Sequence, residues 1–342
     1  MYKKFGAILC FLVVFLSACL RHCEESIRSI YIGTCENSTF DEVLNSLQKY
    51  NANAVVIDVK DDLGRLFPDL PVQSNEKNSF STVPKLKTFL TQLKKRKIYT
   101  IARIVALKEF TRDDLCIKDE NGDNWIDKEK TSWMDPSDER VRRYLEDVCS
   151  AAVKIGFDEI QLDYIRFSSY DRRSREHSRI EAINSLIERL SNVVHEVGGK
   201  LSVCVFGCTI EGSVDTPEKK KQTAQSAKII GQDFIEIANR CDFICPMIYP
   251  SHYPIKTPCG IHYPDLEPYN TIKTCLELCN NMLVNVTVKA VVRPYLQAFT
   301  ATWLKKYKVY DDKAIQEQIS AVYDSSFSQW GLFKMDGKYP NL

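Results

Sequence analysis

The chain alternates between short apolar runs with the two-residue period of strands and longer stretches with the period of helices. The stretch 156–167 shows the strand pattern most clearly: Ile160 and Leu162 share one side of an extended chain, and Gln161 and Asp163 share the other. One face is therefore expected to be buried in apolar surroundings, while the other faces polar groups or water. A carboxylate at such a strand end is typical of barrel enzymes, whose catalytic loops follow the carboxyl ends of parallel strands. The alternative is a solvated strand end with a salt bridge in the loop.

The same alternation continues along the whole chain. The strands are predicted at 29–32, 54–60, 99–105, within 156–167, and at 201–206, 243–248, 288–292 and 330–333. Helices are predicted around 40–47 and at 85–96, 139–155, 175–197, 232–239, 270–281 and 313–323. Eight such strand–helix units in about 300 residues predict a (β/α)8 TIM barrel. A doubly wound open sheet is the second choice, but no glycine-rich phosphate turn follows the first strand.

The N-terminus carries a targeting pattern rather than part of the fold. Lys3 and Lys4 precede an apolar run that is too short to span a bilayer, and Leu16-Ser-Ala-Cys19 fits the lipobox of bacterial lipoproteins. Residues 1–18 are therefore predicted to be a lipoprotein signal peptide, with Cys19 lipidated, 19–28 a tether and 29–342 a single barrel domain. The predicted location is the bacterial cell envelope, on a membrane face outside the cytoplasm. An ordinary signal peptide or an uncleaved anchor are the alternatives.

Composition narrows the classes of partner. The 342 residues have a formal net charge of +1, and the aromatic residues are spread along the chain, so nucleic acid is not an expected partner. Of the 13 cysteines, Cys10 leaves with the signal and Cys19 takes the lipid; the remaining eleven are an odd number, so at least one is unpaired. No Cys-x-x-Cys pair occurs, so neither a metal site nor a cofactor is predicted.

The loops after the predicted strands collect polar and aromatic side chains that a barrel would bring to one mouth. The carboxylates proposed for catalysis are Asp163, Asp61 and Asp58. The residues proposed for substrate binding are Lys60, Arg103, Trp133, Asp135, Gln161, Arg166, Tyr249, His252, Arg293 and Gln297. Carboxylates, cations that tune them and flat aromatic rings suit a cleft that cleaves sugars.

Some of these residues have simpler interpretations. Asp62 and Gly64 are interpreted as turn residues, and Asp138 as the N-cap of a helix. His252 has no visible partner in the sequence, so a hydrogen-bonding loop role is favoured over that of a general base.

Six blocks in order resemble the putative glycosyl hydrolase domain family of bacteria, a barrel group distantly similar to alpha-amylase-like hydrolases. The blocks lie at 55–65, 101–105, 133–136, 156–167, 246–253 and 293–299. The resemblance implies a (β/α)8 barrel that acts on carbohydrate, with Asp163 as nucleophile or general acid/base. It also implies that Asp58 and Asp61 are supporting carboxylates, and that Arg166, Tyr249 and Arg293 line the site.

The fifth-strand block departs from that family. The family pattern is Ser-Ala-Asp-Val-Phe-Gly, whereas Cys204 stands here at the acidic position. Strand parity predicts that Ser202, Cys204 and Phe206 face the barrel interior. Three hypotheses follow: a membrane-tethered glycoside hydrolase, a carbohydrate-binding lipoprotein that lacks one acid, and a surface scaffold without enzymatic activity.

Overall fold

The computed structural model describes residues 26–34, 39–67, 70, 72, 86–171, 176–210, 229–255 and 260–339. The predicted signal peptide, Cys19, most of the predicted tether and the insertion at 211–225 lie outside the described residues. Within the described ranges, no helix combines the length and apolar character needed to cross a membrane.

Nine strands and seven α-helices occur in these ranges. The strands are β1 Arg28–Gly33, β2 Ala54–Lys60, β3 Tyr99–Val105, β4 Glu159–Asp163, β5 Lys200–Phe206, β6 Phe243–Ile248, β7 Val291–Val292, β8 Tyr295–Gln297 and β9 Trp330–Phe333. The helices are α1 Phe40–Tyr50, α2 Leu86–Lys95, α3 Glu139–Ile155, α4 Glu176–Glu196, α5 Phe234–Ala238, α6 Pro268–Leu283 and α7 Asp312–Asp324.

The sheet closes on itself. Strands β1 to β6 pair in parallel with their neighbours in chain order, β8 pairs with β6 and β9, and β9 pairs with β1. The short β7 and β8 both pair in parallel with β6, at successive positions along it. Together they take the place of one strand in a closed barrel of eight parallel strands. This confirms the predicted (β/α)8 fold.

Two predicted elements are wrong in their bounds. The strand predicted at 288–292 is shorter, and the chain forms a second strand segment, Tyr295–Gln297, in what was expected to be a loop. Pro294 stands between the two segments and has no N–H to donate to a ladder, which explains the interruption. The helix predicted at 232–239 spans only Phe234–Ala238; it starts at Phe234 because the Asp233 side chain caps it by accepting from the Glu236 N–H.

Helix starts follow local capping chemistry. Thr39 and Glu42 form a capping box at the start of α1, in which each side chain accepts the backbone N–H of the other. The Asp138 carboxylate accepts the Arg140 N–H at the start of α3, as predicted. These caps fix the helices that follow the strands.

The alternation on β4 and β5 places two kinds of side chain on opposite faces. Ile160, Leu162 and Val203 pack in the apolar layer between the strands and the helices, whereas Cys204 belongs to the cluster inside the barrel. Directly after Asp163 the backbone of Tyr164 takes φ +49°, which ends the strand and turns the chain into the mouth loop. The predicted parity of both strands is confirmed.

Candidate active site

Arg103 is the centre of a group of carboxylates at the mouth of the barrel. Its Nε and Nη2 donate to Oδ2 of Asp163 at 2.9 and 2.7 Å, and its Nη1 donates to Oδ1 of Asp58 at 2.9 Å. Nη1 and Nη2 also reach Oδ2 of Asp62, at 3.3 Å each. One guanidinium thus contacts three carboxylates, because β3 lies between β2 and β4 in the barrel. Charge-assisted bonds of this kind hold the oxygens in fixed positions.

Asp58 lies on the inner side of this group. Its Oδ2 accepts the phenolic O–H of Tyr31 at 2.5 Å, and the residue is only 4% exposed. Burial raises the pKa of Asp58 above its usual value, although Arg103 and the Tyr31 hydrogen bond oppose the shift. Since Asp58 pairs in register with Arg103, whereas Asp163 pairs with Val105, Asp58 sits one layer deeper than Asp163.

Asp163 and Asp62 are the carboxylates nearest to the opening. Both contact Arg103 Nη2, at 2.7 and 3.3 Å, so their nearest oxygens lie no more than about 6 Å apart. The Asp62 side chain is 43% exposed, and among the described residues its other close cation is Lys108 Nζ at 3.9 Å. The Asp163 Oδ1 accepts the backbone N–H of Tyr164 at 2.7 Å. A second carboxyl group therefore lies beside Asp163 despite Cys204.

Asp61 and Lys60 are engaged within the loops. Asp61 accepts the N–H groups of Leu63 and Arg65 at 3.0 and 2.9 Å and the Arg65 Nε at 2.8 Å, so it folds its own turn. The Lys60 ammonium is fully buried, donates to the carbonyls of Val105 and Lys108, and pairs with Glu109 at 3.0 Å. The structure places Asp62, rather than Asp61, against Arg103.

Gly64 allows the loop after β2 to pack closely on Glu109. A Cβ at Gly64 would lie 1.9 Å from Glu109 Oε1, and its φ of +81° is in the left-handed region. Only glycine satisfies both conditions, so the loops after β2 and β3 pack directly on each other.

Three of the residues proposed for substrate binding lie deep in the barrel. Gln161 accepts the Tyr295 O–H at 2.6 Å and donates to Ser202 at 3.3 Å. Arg293 forms a bidentate pair with Glu159 and is 1% exposed. Gln297 is fully buried: it accepts the Ser251 N–H and donates to the Asp265 carboxylate and the Phe299 carbonyl. These contacts tie strands and loops together beneath the mouth.

Two further predicted residues support the rim on the β3–α3 side. The Trp133 indole donates to Asp127 at 2.8 Å and is 4% exposed. The Asp135 carboxylate accepts the Ser137 N–H at 2.8 Å near the start of α3, so it shapes the turn before that helix.

An aromatic arc forms the opposite wall of the mouth. It runs from Tyr31 to Phe333 (4.8 Å between ring centroids), on to Tyr249 and Phe299 (5.7 Å for each step), and ends at Trp303, which stacks on Phe299 at 6.1 Å. The Trp303 side chain is 64% exposed, whereas Tyr249 is buried. The arc therefore begins at the Asp58 hydrogen bond and ends on an open rim.

His252 lies against this arc. Its ring makes edge contacts with Trp303 at 6.2 Å and Phe299 at 5.9 Å, and its Nδ1 lies 3.0 Å from Ser251 Oγ. Burial lowers the pKa of His252, which favours the neutral imidazole near pH 7. The contacts agree with the loop interpretation of this histidine.

Cys204 occupies the interior position at which a carboxylate was expected from the family pattern. It is 3% exposed and pairs in register with Cys245 on β6. Burial, with a smaller contribution from the charge of Asp163, raises the pKa of the Cys204 thiol. A neutral thiol at this position cannot supply a proton at neutral pH as a carboxyl group would.

Sequence reasoning missed three residues of this site. Asp62 was interpreted as a turn residue, and Tyr31 and Trp303 were not singled out. Tyr31 could have been found from parity, because it faces inward from the first strand. The available signal for Trp303 was its spacing of four residues from Phe299, at the end of the last family-like block.

Comparison with known proteins gives a family and several barrel relatives. The family described as "Putative glycosyl hydrolase domain" matches residues 29–339. Among solved structures, the glycoside hydrolase domain of PgaB (BpsB) from Bordetella bronchiseptica has a TM-score of 0.63 at 12% identity, covering 91% of this chain and 95% of that one. The spore cortex-lytic enzyme SleL of Bacillus megaterium has a TM-score of 0.52 at 10% identity, with 93% and 73% covered.

The glycoside hydrolase domain of PelA from Pseudomonas aeruginosa has a TM-score of 0.50 at 11% identity, covering 93% of this chain and 98% of that one. At these identities the likenesses bear on the fold alone. A search of curated proteins finds no significant match.

Proposed function

The chain belongs to the putative glycosyl hydrolase domain family, and from that premise we propose that it hydrolyses O-glycosidic bonds of a glycan with Asp163 as the main catalytic carboxylate. The observation that carries the proposal is the pair formed by Asp163 and Asp62 at the mouth, bridged by one guanidinium of Arg103. Glycoside cleavage generally uses two carboxyl groups that flank the bond.

The separation of the pair favours a double displacement. The upper limit of about 6 Å between the nearest oxygens lies below the 6.5–9.5 Å of inverting enzymes and allows the 5–5.5 Å of retaining ones. In the first step Asp163 attacks the anomeric carbon, the bond to the leaving oxygen breaks, and Asp62 gives its proton to that oxygen. In the second step Asp62 takes a proton from water, whose oxygen attacks the same carbon and releases Asp163.

Asp62 is the carboxylate best placed to exchange protons. Its contacts with Arg103 and Lys108, at 3.3 and 3.9 Å, are the longest in the group, and it is the most exposed member. Asp163 instead accepts three N–H contacts, which hold its oxygens in fixed positions, as a nucleophile requires.

The remaining residues position these two. Asp58 and Tyr31 hold Arg103 from below, and the aromatic arc offers flat rings to the apolar faces of sugars. Arg103 is thus a positioning residue that keeps Asp62 and Asp163 at the required spacing. No step of this reaction needs a cofactor.

The test compares hydrolysis of a panel of glucose, galactose and N-acetylglucosamine oligosaccharides by wild type and carboxylate variants. Asp62→Asn is expected to lower kcat by about 10²–10⁴, the usual contribution of a general acid. Asp163→Asn is expected to lower it at least as much, since it removes the covalent step. Asp147→Asn, an exposed aspartate on α3, serves as the matched control and should leave kcat unchanged. Wild-type turnover that survives Asp163→Asn would show that the nucleophile is another group.

A second candidate function is a carbohydrate-binding barrel, and the observation that favours it is the buried thiol of Cys204. Under that hypothesis the same panel would bind to wild type without being hydrolysed. Activity that appears only in Cys204→Asp would favour this alternative over the enzyme.

We also propose that a lipid on Cys19 tethers the barrel to a membrane face of a bacterial cell envelope. The support is the Leu16-Ser-Ala-Cys19 pattern after an apolar run. Cys19→Ala is expected to move the protein from the detergent phase to the aqueous phase in a partitioning assay. Equal partitioning of the variant and wild type would contradict the tether.

A further inference from the structure

Arg166 lies in a cage of aromatic rings at the mouth. Its guanidinium carbon is 4.8 Å from the ring centroid of Trp133, 4.9 Å from that of Phe206 and 5.2 Å from that of Tyr164. Such rings attract a cation and fix the plane of the guanidinium. The cage therefore holds the planar guanidinium of Arg166, with its N–H donors, in one orientation.

The hydrogen-bonding capacity of this guanidinium is mostly unused. Nη1 donates to the Phe167 carbonyl at 3.0 Å, and in the described part of the chain no carboxylate lies within ion-pair distance of Arg166. The more deeply buried arginines are all paired: Arg103 with the mouth aspartates, Arg293 with Glu159, and Arg179 with Asp171 at 3.8 Å. Arg166 thus differs from them in having no ion-paired carboxylate among the described residues, although Asp163, Glu129 and Asp127 lie near enough to act on its charge.

The electrostatic surroundings make this difference costly. Burial lowers the pKa of Arg166, because the charged form loses water without gaining a carboxylate partner. Nearby, the Lys108 ammonium lies 5.0 Å from the Tyr164 ring, so two cations flank the residue that follows Asp163. An anion bound at the Arg166 guanidinium would supply the ion-pair partner that Arg103, Arg179 and Arg293 have within the protein.

The position of the cage relates it to the proposed reaction. Tyr164 and Arg166 follow Asp163 directly on the β4 loop, and Phe206 is the last residue of the neighbouring β5. The left-handed backbone of Tyr164 turns this loop, and Arg166 stays near enough to Asp163 for that carboxylate to act on its charge. A sugar held next to the bond to be cleaved would lie within reach of it.

We propose that Arg166 forms an anion-binding subsite beside Asp163, and that the glycan bound in this mouth carries an acidic substituent, a carboxylate or a sulfate ester. This proposal rests on the proposed function in taking the mouth as the glycan site. It does not require hydrolysis. The guanidinium fork accepts two oxygens of either group in one plane, and the aromatic walls accept the apolar face of the same sugar.

The experiment measures binding to the full wild-type chain, because the monosaccharide probes have no glycosidic bond that the protein could cleave. The probes are D-glucuronate, D-glucose 6-sulfate and D-glucose, followed by tryptophan fluorescence, since Trp133 packs on Arg166. At least one of the two anions is expected to bind about tenfold or more tightly than glucose, and the preference should weaken as salt is added. The affinities for D-glucuronate and D-glucose 6-sulfate, compared with each other, show whether the subsite prefers a carboxylate or a sulfate ester.

Variants of Arg166 test the assignment. Arg166→Gln should abolish the preference for the anion, and Arg166→Lys should keep part of it, since lysine retains the charge and loses the fork. Arg143→Gln, on the exposed face of α3, is the matched control and should retain the full preference. Thermal unfolding of each variant confirms that it is folded.

Three results would overturn the proposal. They are an anion preference that is unchanged in Arg166→Gln, glucose binding as tight as that of both anions, and no saturable response to either anion. A protein that prefers the anions but fails to hydrolyse any glycan would retain this subsite and refute only the proposed hydrolase.

Discussion

Two buried arginines inside the same barrel meet carboxylates in different ways. Arg293 meets one partner, Glu159, through two bonds, and both side chains are at most 1% exposed. Arg103 meets three partners, one of which is half-exposed at the mouth. The deep pair is balanced in charge and closed to solvent, whereas the mouth group has an excess of carboxylates and is open on one side.

The comparison shows that residue type alone does not separate a structural ion pair from a reactive group. Buried charges are tolerated when each has its partner, as for Arg293 and Glu159. An excess of carboxylates around Arg103 is retained at a cost in stability, which is common where a site serves a reaction. Charge balance and access to solvent are therefore the useful discriminators in this barrel.

The largest expected effect comes from breaking the balanced pair. Glu159→Leu leaves the Arg293 guanidinium buried without a partner, and we expect it to lower the free energy of unfolding by about 3–5 kcal/mol. The double variant Arg293→Met/Glu159→Leu should be more stable than the single one, because no charge is stranded. Denaturant unfolding at neutral pH measures both, and equal losses for the single and double variants would refute the idea of a stranded charge.

The mouth supplies the control for that measurement. Asp163→Asn removes one of three carboxylates around Arg103, so its free energy of unfolding should stay within about 1 kcal/mol of wild type or rise. A loss as large as that of Glu159→Leu would mean that Asp163 is a structural member of the ion-pair network.

The two-residue period of the strands predicts part of the difference between the Arg103 group and the Arg293–Glu159 pair. Parity places Gln161, Asp163 and Cys204 inside the barrel, and chain order places Arg103 between the two aspartate-bearing strands. Arg293 and Glu159 are 134 positions apart in the sequence, so no local sequence pattern predicts that they pair.

The loops are less predictable for a different reason. Asp61 and Asp62 are adjacent and chemically identical, so only the turn geometry decides which one folds the loop and which one faces Arg103. The same holds for Trp303, whose exposure depends on how its loop packs on Phe299. Such choices depend on tertiary contacts that short-range spacing does not encode.

The smallest expected effect concerns Asp58, which lies between the buried Glu159 and the mouth carboxylate Asp163 along the barrel axis. Burial raises the pKa of Asp58, so the folded protein binds this proton more tightly than the unfolded chain does. Stability due to the neutral carboxyl is fully present below the unfolded pKa of about 3.9 and is lost as pH rises through the folded pKa.

Relative to Asp58→Asn, which stays neutral, wild type should therefore become less stable as pH increases over that window. Unfolding midpoints of the two proteins across acidic to neutral pH measure this difference. A difference that instead grows in favour of wild type would mean that Arg103 and Tyr31 outweigh burial, and that the mouth group is as well compensated as the deep pair.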